Sequence, residues 1–95
     1  MDKQEAKSLL TEQLGTYRAR SYADLVAIIG QAGCVEVTGP SGLSYQVEVS
    51  VLWDHKPGGN VRVLASIDDG SFRVAFTPLS ADFIKAPDGT FIGEN

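Results

Sequence analysis

One cysteine, one histidine, one tryptophan and one methionine occur in 95 residues, and the scarcity of each narrows the chemistry open to the chain. With Cys34 alone there is no internal disulfide and no cysteine-based zinc site, which points to a reducing compartment. No apolar run approaches the roughly 20 residues of a membrane span. Residues 1–20 are polar and helix-like where a signal peptide needs an unbroken apolar segment, so the expected location is cytoplasmic. Basic residues are also few. Eight Lys and Arg against twelve Asp and Glu leave a net charge of -4, which disfavours the phosphate neutralisation that drives nucleic-acid binding and suits a basic protein partner better.

The residues that remain are those of a globular chain: 43% apolar and 21% charged, at a length that predicts a single α+β domain over 1–95. A chain of this size hides roughly 60–70% of its unfolded surface, enough for a core without covalent staples. Ala6, Leu9, Leu10, Leu14 and Tyr17 recur at spacings of three and four and predict one amphipathic helix over 2–17. Ser21 followed by Asp24 has the form of a capping box, with Tyr22, Leu25, Val26 and Ile29 at helical spacing behind it and Gly30 as the stop.

Period-two alternation then takes over. Val35 and Val37 alternate with Glu36 and Thr38 in a strand beginning at Cys34, and the breaker Gly39-Pro40-Ser41-Gly42 ends it. Tyr45, Val47, Val49, Val51 and Trp53 form one face of a long second strand, and Val61, Val63, Ala65 and Ile67 one face of a third. Asp69-Gly70 carries the signature of a type I′ turn, which predicts a fourth strand through Phe72, Val74 and Phe76 with Ile67 opposite Phe72 and Trp53 opposite Val61. The expected sheet is an antiparallel meander in order 1-2-3-4, with two N-terminal helices on its valine face and a short C-terminal extension or hairpin over 83–92. Leu79 to Lys85 reads as a helical turn or an irregular segment. Trp53, Tyr45, Phe72 and Phe76 belong to the core in this arrangement, not to a base-stacking platform.

Candidate chemistry is thin. Asp54 beside His55 has the make-up of an acid–base pair, but Cys34 lies in an apolar strand and Ser71 and Ser80 sit in no nucleophile motif. Asp82 approaches Asp54 and His55 if the fourth strand ends on their side, which makes these three an alternative ligand site. Asp68 and Asp69 fall at the other end of the third strand, so no metal cluster is expected. Pro57-Gly58-Gly59-Asn60 lacks the lysine and helix of a phosphate loop, and no cofactor is implied.

Two features suggest a protein partner. Leu52 and Leu64 break the polar face as diagonal neighbours and read either as scattered surface leucines or as an apolar patch flanked by Arg62, Arg73 and Glu48, with Glu48 and Arg73 pairing across Ser66. The first hairpin, closing between Thr38 and Ser44, leaves residues 49–54 of the second strand without a neighbour. That edge is open to the C-terminal segment, to the chain before Cys34 or to a second copy in a homodimer. The sequence therefore favours a small non-catalytic protein-binding module, of the acidic inhibitor or immunity type, over an enzyme or ligand-binding domain centred on Asp54, His55 and Asp82.

Overall fold

A computed structural model describes residues 2–69 and 79–94 of the chain. Helix α1 spans Lys3–Arg18, and its N-terminus forms where Asp2, in extended conformation, accepts the Glu5 N–H at 3.0 Å. The predicted stripe holds: Ala6, Leu10 and Leu14 are buried, with Leu9 and Tyr17 at the margin of the core. Helix α2, Tyr22–Ala27, is capped by Ser21, whose hydroxyl accepts the Asp24 N–H at 3.1 Å. It is only six residues long and buries Leu25 alone. Gly30, at φ +88°, turns the chain toward the sheet and donates its N–H to the Val51 carbonyl.

The sheet is open, antiparallel and ordered β1-β2-β3-β4, from β1 (Ala32–Thr38), β2 (Ser44–Trp53), β3 (Val61–Asp68) and β4 (Leu79–Lys85). Trp53 pairs with Val61 as expected, and the inner face of β2 and β3 from Tyr45 to Ile67 is buried against α1. Each large apolar side chain so buried contributes about 1.5–3 kcal/mol.

The fourth strand departs from the sequence reading. Ile67 pairs with Leu79, and Phe83 stands opposite Val63, so Leu79–Lys85 is a strand and neither a helical turn nor an irregular segment. Ser66 faces Ser80, which takes the place expected for Arg73. Phe72, Arg73, Val74 and Phe76 lie outside the described residues. The pattern of β4 is blunted because Ala81 is small on the inner face and Ile84 is apolar on the outer one, while Asp69-Gly70 offers a strong local signal for an earlier turn.

The C-terminal segment is tied down. Lys85 and Phe91 form a bridge, Ala86 donates to Thr90, and Ile92 donates to Ile84, which closes the small hairpin over 83–92. The Phe83 and Phe91 rings meet edge to face at 5.7 Å, and the Arg18 guanidinium lies 4.9 Å from both while pairing with Glu94 at 2.8 Å. Buried Lys85 donates to the Arg18 and Arg20 carbonyls at 3.3 and 2.7 Å, which satisfies both the ammonium and the end of α1.

At the other end of α1 the Glu5 carboxylate fastens the helix to the β1–β2 turn. It accepts from the Ser41 hydroxyl at 2.6 Å, the Ser41 N–H at 2.9 Å and the Tyr45 hydroxyl at 2.8 Å. Gly39 is required beside it, since a Cβ there would sit 2.5 Å from the Glu5 carboxyl carbon. The Ser41 hydroxyl bond chiefly holds the Glu5 carboxyl below its ordinary 4.5, and the Arg18 bond does the same for Glu94.

Folded values below unfolded ones mean that this stabilisation is complete above pH 4.5 and lost as pH falls through the lowered values. Thermal melts should therefore show a Tm that is flat between about pH 7 and 5.5 and drops below about 4.5. Glu5→Gln should remove part of that drop.

Candidate functional site on the open sheet face

Among the described residues no second layer covers the face away from α1. Antiparallel register sets Leu52 beside Arg62 and Arg62 beside Ile84, with Ser50, Leu64 and Asp82 in the next row. Leu64 is thus diagonal to both Leu52 and Ile84, and the three surround Arg62. Leu52 is 40% and Leu64 42% exposed, and Ile84 is half-buried.

Arg62 is the centre of an ionic cluster. Its Nε and one terminal nitrogen donate to Asp54 Oδ1 at 3.1 and 2.8 Å, and the other terminal nitrogen donates to Asp82 Oδ2. The Asp54 bond chiefly raises the Arg62 pKa, so the guanidinium stays charged at any working pH. Asp54 is placed by its own N–H donating to the Asn60 carbonyl, and the loop between them is fastened to α2 by the Tyr22 hydroxyl, which donates to the Gly59 carbonyl at 2.7 Å. His55 Nε2 lies 3.5 Å from Asp54 Oδ2, with its side chain 88% exposed.

The geometry therefore brings the Asp54 and Asp82 carboxylates onto one cation, Arg62, and leaves His55 exposed beside Asp54. Sequence pattern alone assigns Arg62 only a flanking role. Its central position follows from the two-dimensional neighbourhood of β2, β3 and β4, which a linear pattern shows only once β4 is placed correctly. Asp54 Oδ1 and Asp82 Oδ2 both accept from Arg62, an arrangement suited to holding the open face rigid.

Removing the cation tests this. Arg62→Met leaves the Asp54 carboxylate, whose side chain is 9% exposed, without its donors. Its Tm should fall below that of wild type, and the double variant Arg62→Met/Asp54→Asn should recover part of the loss.

Among the described strands this face is acidic, with Glu36, Glu48, Asp68 and Asp82 against Arg62. No group of three or more His, Cys, Asp or Glu among the described residues is placed to hold a metal ion. No helix among them is long and apolar enough to cross a membrane.

The edge expected at residues 49–54 needs correction. β1 starts at Ala32, earlier than Cys34, so Ala32 pairs with Ser50 and Gly33 with Val49, and the Gly30 bond reaches Val51. The chain before Cys34 covers most of that stretch, and the sheet's free edge on this side is the far side of β1 itself. Ala32 and Gly33 are poor strand formers, and it is pairing with β2 that makes them extended.

Comparison of the chain with protein-family profiles, with curated proteins and with solved structures finds no match.

Proposed function

We propose that the chain is a non-catalytic protein-binding module whose contact surface is the open sheet face around Leu52, Leu64 and Ile84. The observation that carries this reading is the apolar trio itself, half-exposed and arranged about an arginine that Asp54 and Asp82 hold in place. Apolar groups packed around a preorganised arginine are the composition of interface hot spots. The acidic surround, with Glu48 and Asp82 closest, favours a partner of basic surface, and steering by opposite charge would speed their encounter. An inhibitor or immunity-type role toward a basic protein is the form of this reading that the charge supports best.

The test compares immobilised wild type with Leu52→Asp/Leu64→Asp. Wild type should retain a discrete basic protein at low and moderate salt, and the double variant should lose it. No protein above background at either salt concentration sinks the reading. The rival reading, a small enzyme or ligand site at Asp54, His55 and Asp82, draws on their convergence. It is opposed by the Arg62 contacts that occupy the two carboxylates.

A further inference from the structure

The seven residues of β1 form the least covered strand in the sheet. Every side chain in it is exposed except half-buried Val37, and Val35, at its centre, is 45% exposed on the same face as the core. The reason is that α1 lies over β3 and β4 and stops short of β1. The edge also has a defined hydrogen-bonding phase. Gly39 donates its N–H to the Leu43 carbonyl, and antiparallel alternation from that bond turns the N–H and C=O of Thr38, Glu36, Cys34 and Ala32 outward, away from β2.

Beside the two ends of this strand lie two hollows that differ in charge. Near Thr38 a hollow of about 770 Å³ is lined by Glu5, Leu9, Glu12 and Val37. Near Ala32 a smaller hollow of about 230 Å³ is lined by Arg20, Tyr17, Ile28 and Gly33, with the Arg20 guanidinium 4.7 Å over the Tyr17 ring.

We propose that a second copy of this chain pairs antiparallel with β1 about a two-fold axis at Val35, joining the four described strands of each copy into one continuous sheet. Three observations select a second copy over an unrelated strand. Antiparallel self-pairing lays the acidic hollow at the Thr38 end of one β1 beside the Arg20 hollow at the Ala32 end of the other, so the edge is complementary to itself, as a two-fold interface requires. Centred on Val35, the full length of β1 overlaps, the outward groups of Cys34 and Glu36 meet those of Glu36 and Cys34 in the second copy, and no carboxylate faces its own counterpart. Val35 meets Val35 on the face left bare by α1, and Val37 lies across from Gly33, where there is room for it. Both open faces then point the same way, and the proposal is independent of what binds them.

Light scattering on the full chain from micromolar to millimolar concentration provides the test. The expected result is a rise from 10.1 kDa to twice that mass. Val35→Glu, which sets two like charges opposite each other at an exposed position, should weaken the dimer by about tenfold or more while leaving the monomer folded by circular dichroism.

Cys34, the only cysteine, supplies a second readout. In this register two Cys34 Cα atoms lie about 8 Å apart on one face, from a strand spacing near 4.8 Å and a rise of about 3.4 Å per residue. A bismaleimide of that span should join them, and a direct disulfide should not form, because Cα atoms more than about 7 Å apart cannot be bridged. A monomeric mass at all concentrations overturns the proposal. So does a dimer that Val35→Glu leaves intact, that Leu52→Asp/Leu64→Asp abolishes, or that the cross-linker fails to trap.

Discussion

Phe83→Ala is expected to destabilise the protein by about 3–5 kcal/mol, read from the shift of a urea midpoint at unchanged m-value. Phe83 is buried on the inner face of β4 opposite Val63, and its ring is closed over by Phe91 and the Arg18 guanidinium. Truncation removes the aromatic volume and also strips Arg18 and Phe91 of their common partner, so the site has little with which to refill. The neighbouring Ile84→Ala should cost only about 1 kcal/mol, since Ile84 is half-buried on the open face. The contrast tests the register of β4: a slip of one residue exchanges the two outcomes.

Leu25→Ala is the second large effect, at about 2–5 kcal/mol. Leu25 is the one fully buried residue of α2, with Tyr22 and Val26 only partly buried beside it, so a six-residue helix that has no intrinsic stability depends on it. The consequence reaches the open face. The Tyr22 hydroxyl that holds the Gly59 carbonyl sits on α2, and a loosened α2 releases the loop that follows Asp54. Hydrogen exchange should show residues 55–60 opening more readily in Leu25→Ala. Tyr22→Phe should reproduce that local opening with a much smaller loss of global stability.

Much of the fold is legible in the sequence, and the reasons are specific. From Tyr45 to Trp53 and from Val61 to Ile67 one face is buried and the other wet, so alternation reports the pleat directly, and the short loop between them sets Trp53 opposite Val61. Ser21 announces α2 because a hydroxyl three residues ahead of an amide is a local device. The fourth strand was obscured by Ala81 and Ile84, which weaken the alternation, and by a turn signal whose force is purely local. The start of β1 was obscured for a related reason: Ala32 and Gly33 are extended by their partner strand, not by preference.

Asp82 comes to the Asp54 end of β3 as a residue of β4 itself, opposite Leu64, and not as a residue that follows a strand ending there. That Arg62 stands between them depends on three strands at once, and the pairing of Leu64 with Ile84 as well as Leu52 was hidden with it.

The Lys85 ammonium on the Arg18 and Arg20 carbonyls joins residues 67 and 65 positions apart, and it bears on the order in which the chain can be assembled. During synthesis α1 leaves the ribosome well before the strand that secures its far end, and its main packing surfaces, β3 and β4, are among the later parts to emerge. Helix α1, made ahead of the whole sheet, is thus locked only after β4 is complete. Until then the leucine stripe of α1 has no seat, and the valine face of β2 waits uncovered, so a growing chain of this kind carries its greatest exposure to misassociation just before Lys85 arrives.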